Sequence, residues 1–252
     1  MEEMTTVHGT VTRSLGTFAS HRLVLSALFA CAAVAAPARA QDQRQAETIA
    51  EANAYFGLSD RFRLFTTANV TKSLSEGVAD SEIGAYLDIL ALKTIPGLLL
   101  DIDVARARYL WGRVGFSFGG KHEGTDLEQG YSERQFVFEI SGRYPIPLGF
   151  TLLTRARFDM RTLSGGHANR FRLRIGMEKE YTVLGTELIP YARAEFLHDS
   201  RFGAWNSQIY QVGVDIALSE RFRIEPYYAF VVDTAVQPAH VDRLGLVLKY
   251  YR

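Results

Sequence analysis

The feature that most constrains this chain is a one-for-one alternation of apolar and polar residues, repeated in runs of about ten, the length a tilted strand needs to cross a bilayer. In 168–181, "ANRFRLRIGMEKEY", Arg170, Arg172 and Arg174 alternate with Phe171, Leu173 and Ile175. A helix turns about 100° per residue and a strand about 180°. Helical winding would put Phe171 and Ile175 on one side and Leu173 and Met177 on another. A strand puts all four on one face and Arg170, Arg172, Arg174, Gly176, Glu178 and Glu180 on the other. Only the strand separates charge from hydrocarbon.

The pattern recurs along most of the chain. In 61–70, Phe62, Leu64, Ala68 and Val70 oppose Arg61, Arg63, Thr67 and Asn69; in 81–92, Ile83, Ala85, Leu87 and Ile89 oppose Glu82, Gly84, Tyr86 and Asp88. Phe136, Phe138 and Ile140 oppose Glu139, Ser141 and Arg143. Phe150, Leu152, Ala156, Phe158 and Met160 oppose Arg155, Arg157, Asp159 and Arg161. Leu188, Ala192, Ala194 and Phe196 oppose Glu187, Tyr191, Arg193 and Glu195, and Tyr210, Val212, Val214 and Ile216 oppose Gln211, Gly213 and Asp215. Phe222, Ile224, Tyr228 and Phe230 oppose Arg223, Glu225 and Tyr227, and Leu244, Leu246, Leu248 and Tyr250 close the chain.

Connectors alternate in length as regularly as the strands do in polarity. "YPIPLG" (144–149), "TVLG" (182–185) and "SERF" (219–222) are tight, whereas 120–133, "SGGHA", 198–207 and 233–240 are long and polar. Short turns on one rim and long loops on the other characterise outer-membrane barrels. Eleven strands are clear, and "LLLDIDVARA" at 98–107 would supply a twelfth. With both chain ends on the periplasmic rim the count should be even. The expectation is therefore an all-β fold, an antiparallel transmembrane β-barrel of about 12 strands, with 10 if the early segments fold differently.

The first forty residues fit this destination. "HRLVLSALFACAAVAAPARA" (21–40) joins a basic start to an apolar run and ends in Ala38-Arg39-Ala40, the small-x-small pattern of a signal-peptidase site, which places cleavage after Ala40. The long leader allows a true start at Met4, and a lipoprotein-type cut before Cys31 is the alternative. Cleavage after Ala40 removes three arginines and two glutamates and leaves 25 basic against 26 acidic residues, with no cysteine. That excludes a disulfide framework. The longest later apolar stretch, from Ile83, is broken by Asp88, Lys93 and Pro96, so no transmembrane helix is expected. Residues 41–252 then form a single barrel domain in the outer membrane. A soluble periplasmic lipocalin-like barrel also alternates its faces and is the competing architecture.

Two features favour the membrane barrel. Arginines recur on the polar face with carboxylates to match, as an enclosed lumen requires: Arg155, Arg157, Asp159, Arg161, Arg170, Arg172, Arg174, Glu178, Glu180, Arg193, Glu195, Arg223 and Glu225 form the expected lumenal ion-pair network. Aromatics at the ends of apolar faces, among them Phe150, Phe171, Tyr181, Phe196, Phe222 and Tyr250, suit interfacial girdles. The stretches "RARYLWGRVGFSF", "RARFDMR", "NRFRLRIGMEKEY", "PYARAEFLHDSRFGAWN", "RIEPYYAF" and "LGLVLKYY" together resemble a bacterial outer-membrane β-barrel family of unknown function, domain of unknown function 2490. The resemblance spans about Tyr109 to Tyr251 and implies an outer-membrane barrel with no established activity. Such barrels usually end on an aromatic residue that the barrel-assembly machinery reads. Here Arg252 follows Tyr250 and Tyr251.

Reactive constellations are sparse. His198 and Ser200 in "LHDSR" have the His-x-Ser spacing by which a histidine activates a serine on the same strand face, so an outer-membrane lipid hydrolase is the alternative function. His167 has no serine at that spacing. Asp199, Asp233, His240 and Asp242 are candidates for a surface cation site, against the simpler reading of solvated loop residues. Phosphate-loop, zinc and cofactor motifs are absent, and near-neutral charge argues against nucleic acid. The leading expectation is a non-enzymatic barrel, either a narrow pore or a structural or binding barrel, with an ion-paired polar lumen, no cofactor, and outer-membrane lipids and the barrel-assembly machinery as partners.

Overall fold

Each alternating run becomes a strand. The computed structural model describes residues 44–74, 77–92, 110–121, 131–163, 166–235 and 240–252. Residues 1–40, expected to be the signal peptide, and the candidate strand at 98–107 lie outside the described residues. The strands are β1 (Arg44–Gly57), β2 (Phe62–Ser73), β3 (Gly77–Leu92), β4 (Leu110–Lys121), β5 (Tyr131–Ile146) and β6 (Phe150–Leu163). They continue with β7 (Gly166–Lys179), β8 (Tyr181–Val183), β9 (Thr186–Asp199), β10 (Ala204–Ala217), β11 (Phe222–Asp233) and β12 (His240–Tyr251). A 12-residue strand rises about 40 Å along its own axis and, tilted by about 40°, spans roughly 30 Å, enough to cross a hydrocarbon core.

Twelve strands are described, and eleven of them make the wall: the hydrogen-bonded order runs β1 to β7, then β9 to β12, and closes where β12 meets β1. β8 is a tail of β7. Glu178 pairs with Tyr191 and Tyr181 with Leu188, so the register carries through Glu180 without a slip. Extending that register puts Pro190 opposite Lys179. A proline has no N–H to donate, so the ladder breaks at that point and resumes beyond it.

All pairings are antiparallel except the last. β1 runs parallel to β12, from Arg44 opposite His240 to Tyr55 opposite Tyr251. The even count expected from two chain ends on one rim gives way to an odd wall, which closes only if one neighbouring pair is parallel. The first residue of β1 therefore sits at the rim of the long connectors, and β12 ends at the rim of the tight ones. The connectors follow the predicted alternation only in part: those after β6 and β9, expected long, are two and four residues, and β3 ends and β4 begins, with 17 residues between them, at the rim of the tight turns. The tight turns 58–61, 147–149, 184–185 and 218–221 share one rim, and the connections after β4, β6, β9 and β11 share the other.

The wall is inside out relative to a soluble barrel. Ile83 and Ile140 are 62% and 64% exposed on its outer face, while Asp88 and Asp159 are fully buried inside it. A lipocalin-like barrel would carry the opposite polarity, so that alternative is excluded by which face carries the charge. Outer aromatics lie at both rims, with Phe56, Tyr250 and Phe222 in contact at the tight-turn end and Phe171 and His198 against Trp205 at the other, and also in mid-wall, where Phe116, Phe136 and Phe138 meet. An inner row of rings lines β12, β1, β2 and β3: Tyr251 stacks on Tyr55, Tyr55 on Phe65 and Phe65 on Tyr86. Tyr86 leans over Gly84 and Gly115, where any side chain would collide with it.

Candidate functional site

The lumen is the chemically dense part of the molecule, and its layout follows from parity. On β6 the inward residues include Arg155, Arg157, Asp159 and Arg161; on β7, Arg170, Arg172 and Arg174; on β9, Tyr191, Arg193, Glu195 and Asp199. Register sets Arg155 opposite Arg174 and Arg157 opposite Arg172, like charge against like, and Asp159 opposite Arg170. Across the next seam Arg174 faces Glu195 and Arg170 faces Asp199.

Carboxylates organise this field into clusters. Asp159 accepts hydrogen bonds from Arg157 at 2.5 Å and Arg170 at 3.1 Å, and Arg172 lies 3.3 Å away. Glu195 accepts from Arg155 at 2.6 Å and Arg174 at 2.5 Å, with Arg172 at 3.5 Å. A third centre is Asp88 on β3, gripped at 2.6 Å by both Arg63 of β2 and Arg113 of β4. Glu139 on β5 lies between the groups, 3.9 Å from Arg113 and 3.8 Å from Arg155, and accepts from Ser141 at 2.9 Å. Lys249 on β12 bridges Asp215, at 2.7 Å, and Glu225, which also receives Tyr191 and Arg193. Arg223 is held between Asp215 and Glu187. Near the long-connector rim, buried Arg161 pairs with Glu133 and, at 2.7 Å, with Asp199.

These pairs form a waist across the interior. A chamber of about 340 Å³ opens on the long-connector side of it. A second, of about 280 Å³, opens on the tight-turn side. Tyr55, Arg113, Arg155, Arg174, Arg193 and Lys249 line both. The chambers thus meet at the ion-paired layer itself.

The sequence-predicted network is largely brought together here. Arg155, Arg157, Asp159, Arg161, Arg170, Arg172, Arg174, Arg193, Glu195, Arg223 and Glu225 all take part in lumenal ion pairs. Glu178 also pairs, with Arg143 of β5. Glu180 falls in the gap between β7 and β8 at the tight-turn rim and is exposed. Sequence reasoning left Arg63, Asp88, Arg113, Glu139, Asp215 and Lys249 out of the network. All occupy the polar parity of their own strands, which was the available signal.

The reactive candidates have different partners. His198 lies on the outer face against Trp205, with ring centres 5.7 Å apart. The Ser200 hydroxyl instead accepts the Asn169 N–H at 2.8 Å, and the Ser200 N–H donates to the Asn169 carbonyl at 2.9 Å. The serine is thus used to tie the end of β9 to β7. The cation candidates scatter as well. Asp199 is buried between Arg161 and Arg201, Asp242 accepts the Tyr228 hydroxyl at 2.5 Å, Asp233 accepts the Ala235 N–H, and His240 stacks on Phe230. His167 is 3.2 Å from the Thr162 hydroxyl.

No protein-family model and no curated protein matches the chain. Several solved structures resemble it. The beta domain of the Bordetella autotransporter BrkA has 15% identity over 74% of this chain and 78% of that one, with a TM-score of 0.42. LpxR from Salmonella typhimurium has 10% identity over 75% and 83%, with a TM-score of 0.45. A loop-deletion mutant of OmpT, an outer membrane protein of Vibrio cholerae, has 9% identity over 73% and 84%, with a TM-score of 0.32.

Proposed function

We propose that the chain is an integral outer-membrane β-barrel of the family its sequence resembles, non-enzymatic, whose ion-paired waist closes the lumen to bulk flow of solute. It is exported by residues 1–40 with cleavage after Ala40 and inserted by the barrel-assembly machinery through β12, which ends in Tyr250 and Tyr251. The observation that carries this reading is the joint polarity of the wall, apolar outward and charged inward, with buried arginines and carboxylates meeting in the middle of the bore. Charged side chains placed against each other inside a closed wall offset one another's desolvation and fill the bore.

The test is a set of measurements on the purified full-length barrel. It should fractionate with outer membranes, change gel mobility on heating, and give no stable conductance steps in planar bilayers. Large stable steps would replace the closed barrel with an open pore, and failure to fractionate with the membrane would remove the location. Release of acyl chains from phospholipid vesicles, abolished by His198→Ala, would overturn the non-enzymatic reading.

A further inference from the structure

The long-connector chamber is more than a gap left by packing. Arg155, Arg157, Arg172 and Arg174 lie as two like-charged pairs directly opposite each other across the β6–β7 seam, an arrangement that destabilises a sheet unless something else offsets the repulsion. The carboxylates within reach of these four arginines are Asp159 and Glu195, with Glu139 at 3.8 Å from Arg155. Asp159 is also shared with Arg170. Cation therefore outnumbers carboxylate at this point of the wall.

The pairing in this layer is incomplete. Nε of Arg155 is buried without a hydrogen-bond partner, Nε of Arg172 has Asp159 at 3.3 Å, and Oε1 of Glu195 and Oε2 of Glu139 are likewise buried without a hydrogen bond. A guanidinium presents its donors as a rigid planar fork, so a few carboxylates do not meet the forks of four crowded arginines at once. Arg155 and Arg172 line the chamber, together with Arg157, Arg174 and Arg193. The facing wall carries Asn53, Thr67 and Asn69, and the carboxylates Glu51 and Glu82 besides. The volume, about 340 Å³, suits a small solute.

The geometry points to a binding site for a small free oxyanion of the phosphate class, held inside the lumen between Arg155, Arg172 and Arg174. A tetrahedral dianion offers four oxygens to donors converging from two strands, which matches forks presented from β6 and β7, and it neutralises the like-charge pairs. The wall encloses the chamber away from the lipid-facing surface, so the anion arrives from the aqueous phase. This inference rests on the closed-barrel reading, which turns the chamber into a pocket rather than a segment of open channel.

The test uses the refolded full-length barrel in detergent, with inorganic phosphate as the probe and chloride at matched ionic strength as the control. Phosphate is expected to bind saturably near one per chain by calorimetry, and chloride is not. Arg155→Gln with Arg174→Gln should weaken phosphate at least tenfold, provided heat-modifiable mobility shows the variant folded. If it does not fold, Arg172→Lys keeps the charge, removes the fork, and should still weaken binding several-fold. A folded wild-type barrel that ignores phosphate, or folded variants that bind it unchanged, would overturn the site. Phosphate binding by a barrel that also gives large conductance steps would instead retain the site and remove the closed-lumen reading.

Discussion

At the scale of single residues, what holds the lumen together is a few carboxylates serving many arginines. Asp159 is fully buried and meets Arg157, Arg170 and Arg172. Asp159→Asn keeps the shape and leaves those guanidinium groups without their counter-charge, so the expected cost is about 3–5 kcal/mol. Arg201→Ala removes the rim partner of Asp199, where Arg201 is 40% exposed and Arg161 remains, and should cost less than about 1 kcal/mol. Urea unfolding of the two variants in micelles checks the contrast, and equal midpoints would contradict it. Which residues turn inward was legible from alternation alone, because period two admits only two faces. Which residue meets which was not. Arg143 reaches Glu178 two strands away, and Asp199 looks like a loop residue until β9 is seen to run on to it. Pairing depends on register between strands distant in sequence, and alternation within one strand carries no record of that.

At the scale of elements, the turns were legible in position but not in strain. "LSDRF" and "LSERF" are near-copies that form the same turn: Ser59 and Ser219 each accept the N–H groups two and three residues on, and Leu58 and Leu218 donate to Phe62 and Phe222. A second kind of turn places leucine where its backbone is disfavoured. Leu184 and Gly185 join β8 to β9 at φ of 53° and 78°, and Leu148 and Gly149 join β5 to β6 at 68° and 74°. Two successive positive φ values are what a type I′ hairpin requires, and asparagine rather than leucine is the residue that accepts the first. The Leu184 side chain is 68% exposed and contributes little packing that asparagine would lose. Leu184→Asn should therefore raise stability by about 1 kcal/mol, the low end of the cost of holding a non-glycine residue left-handed. An unchanged or lowered unfolding midpoint would mean that the leucine makes a contact outside the barrel worth more than the strain. The break between β7 and β8 escaped the sequence reading for a related reason. Its cause, Pro190, lies on the neighbouring strand, and a missing donor is felt by the partner that should have received it.

At the scale of the whole molecule, the polarity of the wall was legible and its closure was not. Alternation says which way side chains face and is blind to the direction in which two strands meet, so an even, wholly antiparallel wall and an odd one with a parallel seam look alike strand by strand. The seam matters mechanically, because parallel ladders are slightly less stable per residue and this is the one place where the wall uses them. Register distinguishes the two closures. The parallel seam sets Ala50 opposite Leu246 and Ala54 opposite Tyr250. An antiparallel seam through the same first pair would bring Ala54 to Asp242 instead. Neighbouring strands hold facing Cα atoms about 5 Å apart, within the range a disulfide spans. The chain's single cysteine, Cys31, lies within residues 1–40, which the proposed cleavage removes, and would not compete. Under mild oxidation, Ala50→Cys with Leu246→Cys and Ala54→Cys with Tyr250→Cys should both cross-link, while Ala54→Cys with Asp242→Cys should not. Cross-linking of that last pair in place of the second would mean that β1 enters the wall from the opposite rim, and would return the barrel to an even number of strands.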